Sequence, residues 1–164
     1  VTDPARGDDI VLSLVEARVA ALVAVERMVD SLRRGSRNRP GIRPDAIWQI
    51  QLEGAGGELA FAKRLGWYWD GAVGVFHQPG RGDVRHVHVR RRREHHWDLT
   101  IRPDIDVPGV YALVTGCFPR YRVHGWAEWP GCATYEAAYN PDRKPALFVA
   151  QADLRDLADL GGWP

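Results

Sequence analysis

The stretch Gly54-Ala55-Gly56-Gly57-Glu58-Leu59-Ala60-Phe61-Ala62-Lys63-Arg64-Leu65-Gly66 is followed, after a short run, by Gly82-Asp83-Val84-Arg85-His86-Val87-His88-Val89-Arg90. Together these segments decide the fold. The first has helical spacing: Ile47, Ile50, Gly54, Glu58, Phe61 and Leu65 recur on one face from about 46 to 65, and Gly66 supplies a stop. The second alternates with period two, placing Val87 and Val89 on one face and His86, His88 and Arg90 on the other. Glu58 sits inside the apolar stripe of its helix. A carboxylate there needs a metal, an arginine or a strong hydrogen-bond donor, because burying it alone is costly. A buried Glu58–Arg ion pair is one solution and a metal ligand is the other. Gly54 and Gly57 each weaken the helix by roughly 1 kcal/mol against alanine, which suits a place where another backbone or a ligand comes close.

Upstream, residues 1–7 read as a frayed terminus. A scaffold helix is expected over 8–35, with Asp8 or Asp9 as its cap and Gly35 as its stop. Val11, Val15, Val19, Leu22, Val25, Val29 and Leu32 form its apolar stripe, with Glu16, Arg27, Asp30 and Arg34 on the far face. This helix reads as scaffold or as the contact of a homodimer. Residues 36–44 form a basic loop, and Asp45 caps the second helix. Downstream, strands are expected over 72–77, 84–92, 97–102, 110–115, 121–126 and 146–150. A turn at 78–82 and an acidic loop at 103–109 separate some of them; a helical turn over 134–139 and a short helix over 152–160 complete the pattern. The fold class is α+β: two N-terminal helices, then a mostly antiparallel or mixed sheet, in one domain over 1–164 with its core at 45–155.

Composition narrows the functions. At 164 residues and 45% hydrophobic content, the chain can bury one real core. A net charge of +1 means that any nucleic-acid footprint must be local. Cys117 and Cys132 build no disulfide framework and have no zinc-ligand spacing, so free thiols in the cytosol are expected. No apolar run approaches the roughly 20 residues of a membrane span, so no membrane partner is expected. The first residues lack a basic start ahead of an apolar run, so no secretory signal is expected either. The seven tryptophans suit sheet ends and core filling, with base stacking as the sharper alternative.

The chemistry-bearing residues are Glu58, Asp83, His88 and Arg90. Two carboxylates with a third ligand can hold Mg²⁺ or Mn²⁺ while leaving positions open for phosphate oxygens and water. A nearby cation would stabilise the phosphorane. This set resembles the PD-(D/E)xK nuclease core, which carries a helical Glu, an Asp at a strand start and Glu-x-Lys on the next strand. The resemblance implies Glu58 and Asp83 as metal ligands, His88 at the second acid position and Arg90 at the lysine position. His88 departs from the pattern because imidazole favours softer metals. Arg90 departs because a guanidinium clamps phosphate but shuttles protons poorly. The step from Asp83 to His88 is also short for a full hairpin.

Residues 54–66, 83–90, Leu99-x-Ile101-Arg102-Pro103, Val123-His124-Gly125-Trp126 and 145–154 are similar to a family of short, uncharacterised phage and prophage proteins. That resemblance implies a bacterial cytoplasmic location and a nuclease-like core. The expected function is metal-dependent phosphodiester hydrolysis on DNA, with Arg85, Arg91 and Arg92 as backbone contacts. The alternative is a catalytically inactive nucleic-acid- or protein-binding module on the same scaffold. A third reading leaves Glu58 paired with Arg90 in a structural role. His86, His88, His95 and His96 could instead hold zinc, although histidines beside arginines more often face solvent. Asp104 and Asp106 read as turn stabilisers.

Overall fold

The computed structural model describes residues 9–35, 43, 46–74, 80–136 and 146–162. A short strand β1 (Asp9–Val11) leads into two helices, α1 (Leu14–Arg33) and α2 (Ala46–Leu65). The strands β2 (Val87–Arg92), β3 (Leu99–Ile101), β4 (Gly109–Cys117), β5 (Arg120–Trp129), β6 (Tyr135–Glu136) and β7 (Leu147–Val149) follow, so the class is α+β. They form two sheets. The larger is mixed, in the order β1-β5-β4-β2, with β2 parallel to β4 and the other pairs antiparallel. The smaller is antiparallel, in the order β3-β7-β6.

Strand alternation divides the larger sheet into two working faces. Val87, Val89, Val110, Ala112, Val114, Tyr121 and Val123 join Ala60 and Phe61 of α2 in one core. Tyr111, Leu113 and Ala127 join Leu99, Ile101 and Val149 of the smaller sheet in a second. The layers are therefore α1, α2, large sheet, small sheet. α2 is buried on several sides in its middle, and its glycines explain how it fits. A Cβ at Gly56 would lie 2.2 Å from the Tyr121 hydroxyl, and one at Gly57 would lie 3.3 Å from Arg91 Cβ. Gly54 has nothing within 4 Å, so the close approach belongs to Gly56 and Gly57.

Several expectations change. The first helix begins at Leu14, not Asp8 or Asp9, because Ser13 and Glu16 form a capping box with reciprocal bonds of 3.3 and 2.6 Å. Residues 9–11 pair with β5 instead. The apolar stripe of α1 faces outwards: Val15, Val19, Leu22, Val25, Val29 and Leu32 are 41–67% exposed. Ala20, Ala24 and Met28 turn inwards, and alanines let two helices approach closely where valines and leucines would hold them apart. Arg27, on the face opposite the stripe as the spacing has it, turns inwards with them.

Tyr135–Glu136 is a strand, where a helical turn was expected; residues 137–139 lie outside the described residues. The C-terminal helix is replaced by 3₁₀ turns at Gln151–Asp153 and Leu157–Gly162. Between them Arg155 exchanges backbone hydrogen bonds of 2.8 and 3.2 Å with Trp126, which draws the chain out of helical conformation. Gly125 admits that contact, since a Cβ there would lie 2.6 Å from the Arg155 carbonyl oxygen. Of the strand expected over 72–77, Ala72–Gly74 is irregular and 75–77 lies outside the described residues, as do the expected frayed terminus and all of the basic loop except Arg43. No helix among the described residues is long and apolar enough to cross a membrane.

Candidate functional site

Glu58 sits where α2 meets α1, and its carboxylate is fully engaged. Arg27 Nη1 and Nη2 donate to its two oxygens, each at 2.7 Å, and Trp69 Nε1 donates to Oε2 at 3.1 Å. Arg27 Nε donates to the Ala72 carbonyl at 3.0 Å, so the whole guanidinium fork is used. Glu58 is 6% exposed. Burial pushes its carboxyl up to about 7 against the pull of the Arg27 bonds, and the Asp83 charge adds to the rise. Burial alone would lower Arg27, but the Glu58 bonds and charge outweigh it and hold the guanidinium above its ordinary value. The buried Glu58–Arg pair is therefore real, and its partner is Arg27, not Arg90.

Asp83 lies at the mouth of a tight turn. Val84 and Val87 exchange backbone bonds of 3.0 and 3.1 Å around Arg85, which takes a left-handed φ of 54°. Asp83 Oδ2 accepts the Val89 backbone N–H at 2.7 Å. Among the described residues β2 is the last strand of its sheet, beside β4, and this carboxylate satisfies a donor on its outer edge. Its charge raises Glu58 and also acts on His88, which burial lowers overall.

His88 and Arg90 lie on the opposite face of the sheet from Glu58. The His88 ring stacks on Tyr111 with centroids 4.8 Å apart, and Arg90 lies 5.0 Å above the same ring. Arg90 Nη2 also donates to Asp106 Oδ1 at 2.5 Å, while Asp106 Oδ2 accepts the Arg102 N–H at 2.7 Å. Tyr111 belongs to the core against the smaller sheet, so β2 and β4 stand between Glu58 and the His88–Arg90 pair. The four expected catalytic residues thus divide into Glu58 with Arg27, Asp83 at the sheet edge, and His88 with Arg90 beyond the sheet.

The arginines expected on DNA are occupied as well. Arg91 pairs with Glu53 at 3.0 Å and donates to the Gly116 carbonyl at 2.9 Å. Arg92 donates to Thr100 Oγ1 and, at 3.2 Å, to the Asp98 carbonyl, and it lies 4.8 Å over Trp97. Burial lowers its pKa. Arg85 is exposed and lies 4.5 Å over Trp67.

The sequence reading missed two clusters. Glu53 is a second buried carboxylate; it also accepts the Phe118 N–H at 2.9 Å and lies 3.3 Å from the Tyr121 hydroxyl. Arg91 shares a face with Val87 and Val89, and an inward arginine signals a facing carboxylate. The second cluster is Thr115, whose hydroxyl lies 2.8 Å from His95 Nδ1 and 2.6 Å from His124 Nε2. His124 is the extra residue of a bulge where Leu113 opposes Gly125 and Val114 opposes Val123. Nothing local in the sequence marks that bulge. Thr115→Val keeps the volume and removes the hydroxyl, so a denaturant titration is expected to show a loss of about 1–2 kcal/mol.

These residues do not fit the expected metal. Both Glu58 oxygens are occupied by Arg27, and among the described residues no three His, Cys, Asp or Glu side chains cluster to hold an ion. The four histidines considered for zinc diverge: His88 goes to Tyr111, His95 to Thr115, His86 to Trp67 and His96 to Trp97. A cavity of about 300 Å³, lined by Arg64, Trp67, Asp156 and Leu157 among others, includes none of the expected catalytic residues. No protein family, curated protein or solved structure matches this chain.

Proposed function

We propose that this chain is a non-catalytic protein-binding module that docks through the outer face of α1. One observation carries the reading. α1 presents Ala20 and Ala24 to its own fold and Val15, Val19, Leu22, Val25, Val29 and Leu32 to solvent. Single exposed apolar residues are ordinary, but a continuous stripe along one helix marks an interaction surface. Two further observations agree with it. The Glu58 oxygens are committed to Arg27, and Arg90, Arg91 and Arg92 each have internal partners.

A divergent PD-(D/E)xK nuclease with Mg²⁺ or Mn²⁺ is the competing reading. One observation favours it: Asp83 lies close enough to Glu58 and to His88 for its charge to act on both. DNA chemistry decides between them. The chain is incubated with plasmid and linear DNA in Mg²⁺ and then Mn²⁺, beside Asp83→Ala, and duplex retention is followed in a gel. The expected result is no hydrolysis above the metal alone and no retention even at about 50 mM salt, where a phosphate-gripping surface of several arginines holds far more tightly than at physiological salt. Hydrolysis that disappears in Asp83→Ala would overturn the protein-binding reading and restore the nuclease.

A further inference from the structure

We infer that the occupant of the α1 face is a second copy of this chain, packed antiparallel, helix to helix. The inference rests on the protein-binding reading above and names its partner. Val15, Leu22 and Val29 recur every seven residues, and so do Val25 and Leu32, with Arg18 at the position one heptad before Val25. This is the two-position seam of a helix pair. Leu14 and Val19 flank it and are exposed too.

Charge selects the orientation. In a parallel pair each residue of the seam meets its own copy, so Arg18 would face the partner's Arg18 inside an apolar layer. In an antiparallel pair the two seam positions meet each other. Val15 then packs on the partner's Leu32, Leu22 on the partner's Val25, and Arg18 lays its stem along the partner's Val29. Its guanidinium ends about one turn from the partner's Glu26, an exposed carboxylate at the margin of the stripe. The same pairing recurs on the other side of the axis. Antiparallel helices also bring opposite dipole ends together.

Area supports a second copy. The exposed stripe offers roughly 600 Å² of apolar side chain, the upper end of what a monomer leaves in one patch. Two such faces bury at least about 1,000 Å² in total, enough for a specific interface. The face is also self-complementary, as a two-fold contact requires.

Sedimentation equilibrium of the full chain over about 1–100 µM tests the inference, and a dimer is expected. Leu22→Glu is expected to weaken it roughly 100-fold or more, because each interface loses two central anchors. Leu22 is already exposed in the single chain, so thermal melting of the monomeric variant should report an intact fold.

Orientation is read by cross-linking in a Cys117→Ser/Cys132→Ser background. Val15→Cys and Leu32→Cys should form an interchain disulfide when the two variants are mixed, and neither should cross-link alone. Self-cross-linking of each variant would mean a parallel pair and overturn the antiparallel arrangement. A monomer throughout the range would overturn the second copy while leaving the DNA test of the protein-binding reading untouched. A dimer indifferent to Leu22→Glu would overturn α1 as the docking face altogether.

Discussion

Arg27→Ala is expected to destabilise the fold by about 3–5 kcal/mol near pH 8 and by clearly less near pH 5. The first figure is what removing one partner of a buried ion pair costs, because the remaining charge has no compensation. Against a total stability of about 5–15 kcal/mol, the loss is enough to unfold a marginal domain. The pH dependence comes from what Glu58 can do when its guanidinium is gone. A lone carboxylate at 6% exposure takes up a proton readily, and the neutral acid is then short of only one or two hydrogen bonds. Near pH 5 that escape is open; near pH 8 protonation must be forced. Denaturant titrations at both pH values check this, and equal losses would mean that Glu58 does not bear the cost.

The native protein carries the same sign in milder form. The folded-state pKa of Glu58 is raised by burial from 4.5 to about 7. Between those values the folded chain holds a proton that the unfolded chain has released, so stability falls as pH rises through that window. The full excursion is about 3 kcal/mol. Arg27→Met/Glu58→Met should recover most of the loss from Arg27→Ala and lose the pH dependence, since apolar pairs of similar volume often replace buried ion pairs without penalty.

That pair also marks how far the sequence is legible. The apolar period of α2 located Glu58 in a buried place, and the cost of a lone carboxylate demanded a partner. The partner could not be named, because Arg27 lies 31 residues away on a helix whose apolar stripe suits either the fold or a second copy. Hydrophobic periodicity reports which face of a helix is apolar, not what that face meets. On α1 the helix packs through alanines, and its larger side chains point outwards. Alternation in β2 correctly separated Val87 and Val89 from His88 and Arg90. It did not say on which side α2 would lie, and that one unknown decides whether Glu58 meets His88. β1, the bulge at His124 and the break at Arg155 depend on contacts with distant strands, so no local pattern carries them.

Glu53→Ala is the second large loss, again about 3–5 kcal/mol, and it separates the structural from the DNA-binding role of Arg91. Glu53 joins three elements: it pairs with Arg91 of β2 at 3.0 Å, accepts the Phe118 N–H in the β4–β5 turn at 2.9 Å, and meets the Tyr121 hydroxyl of β5 at 3.3 Å. Burial, with the Glu53 charge beside it, holds the Tyr121 hydroxyl far above its ordinary pKa, so that group remains a donor. Alanine at position 53 leaves the Phe118 amide without its acceptor and takes the carboxylate from the Arg91 guanidinium and the Tyr121 hydroxyl at once. Hydrogen exchange should accelerate first at the Phe118 amide and at the end of the β4–β5 hairpin, before the centre of the sheet. Glu53→Gln keeps an acceptor for the amide and should lose only about 1–3 kcal/mol. The two roles of Arg91 then diverge in a nucleic-acid titration. If Arg91 were a phosphate contact, freeing it from Glu53 would tighten DNA binding and steepen its salt dependence. If Arg91 serves to lock β2 to α2, Glu53→Ala weakens the fold and leaves DNA retention as low as in the native chain.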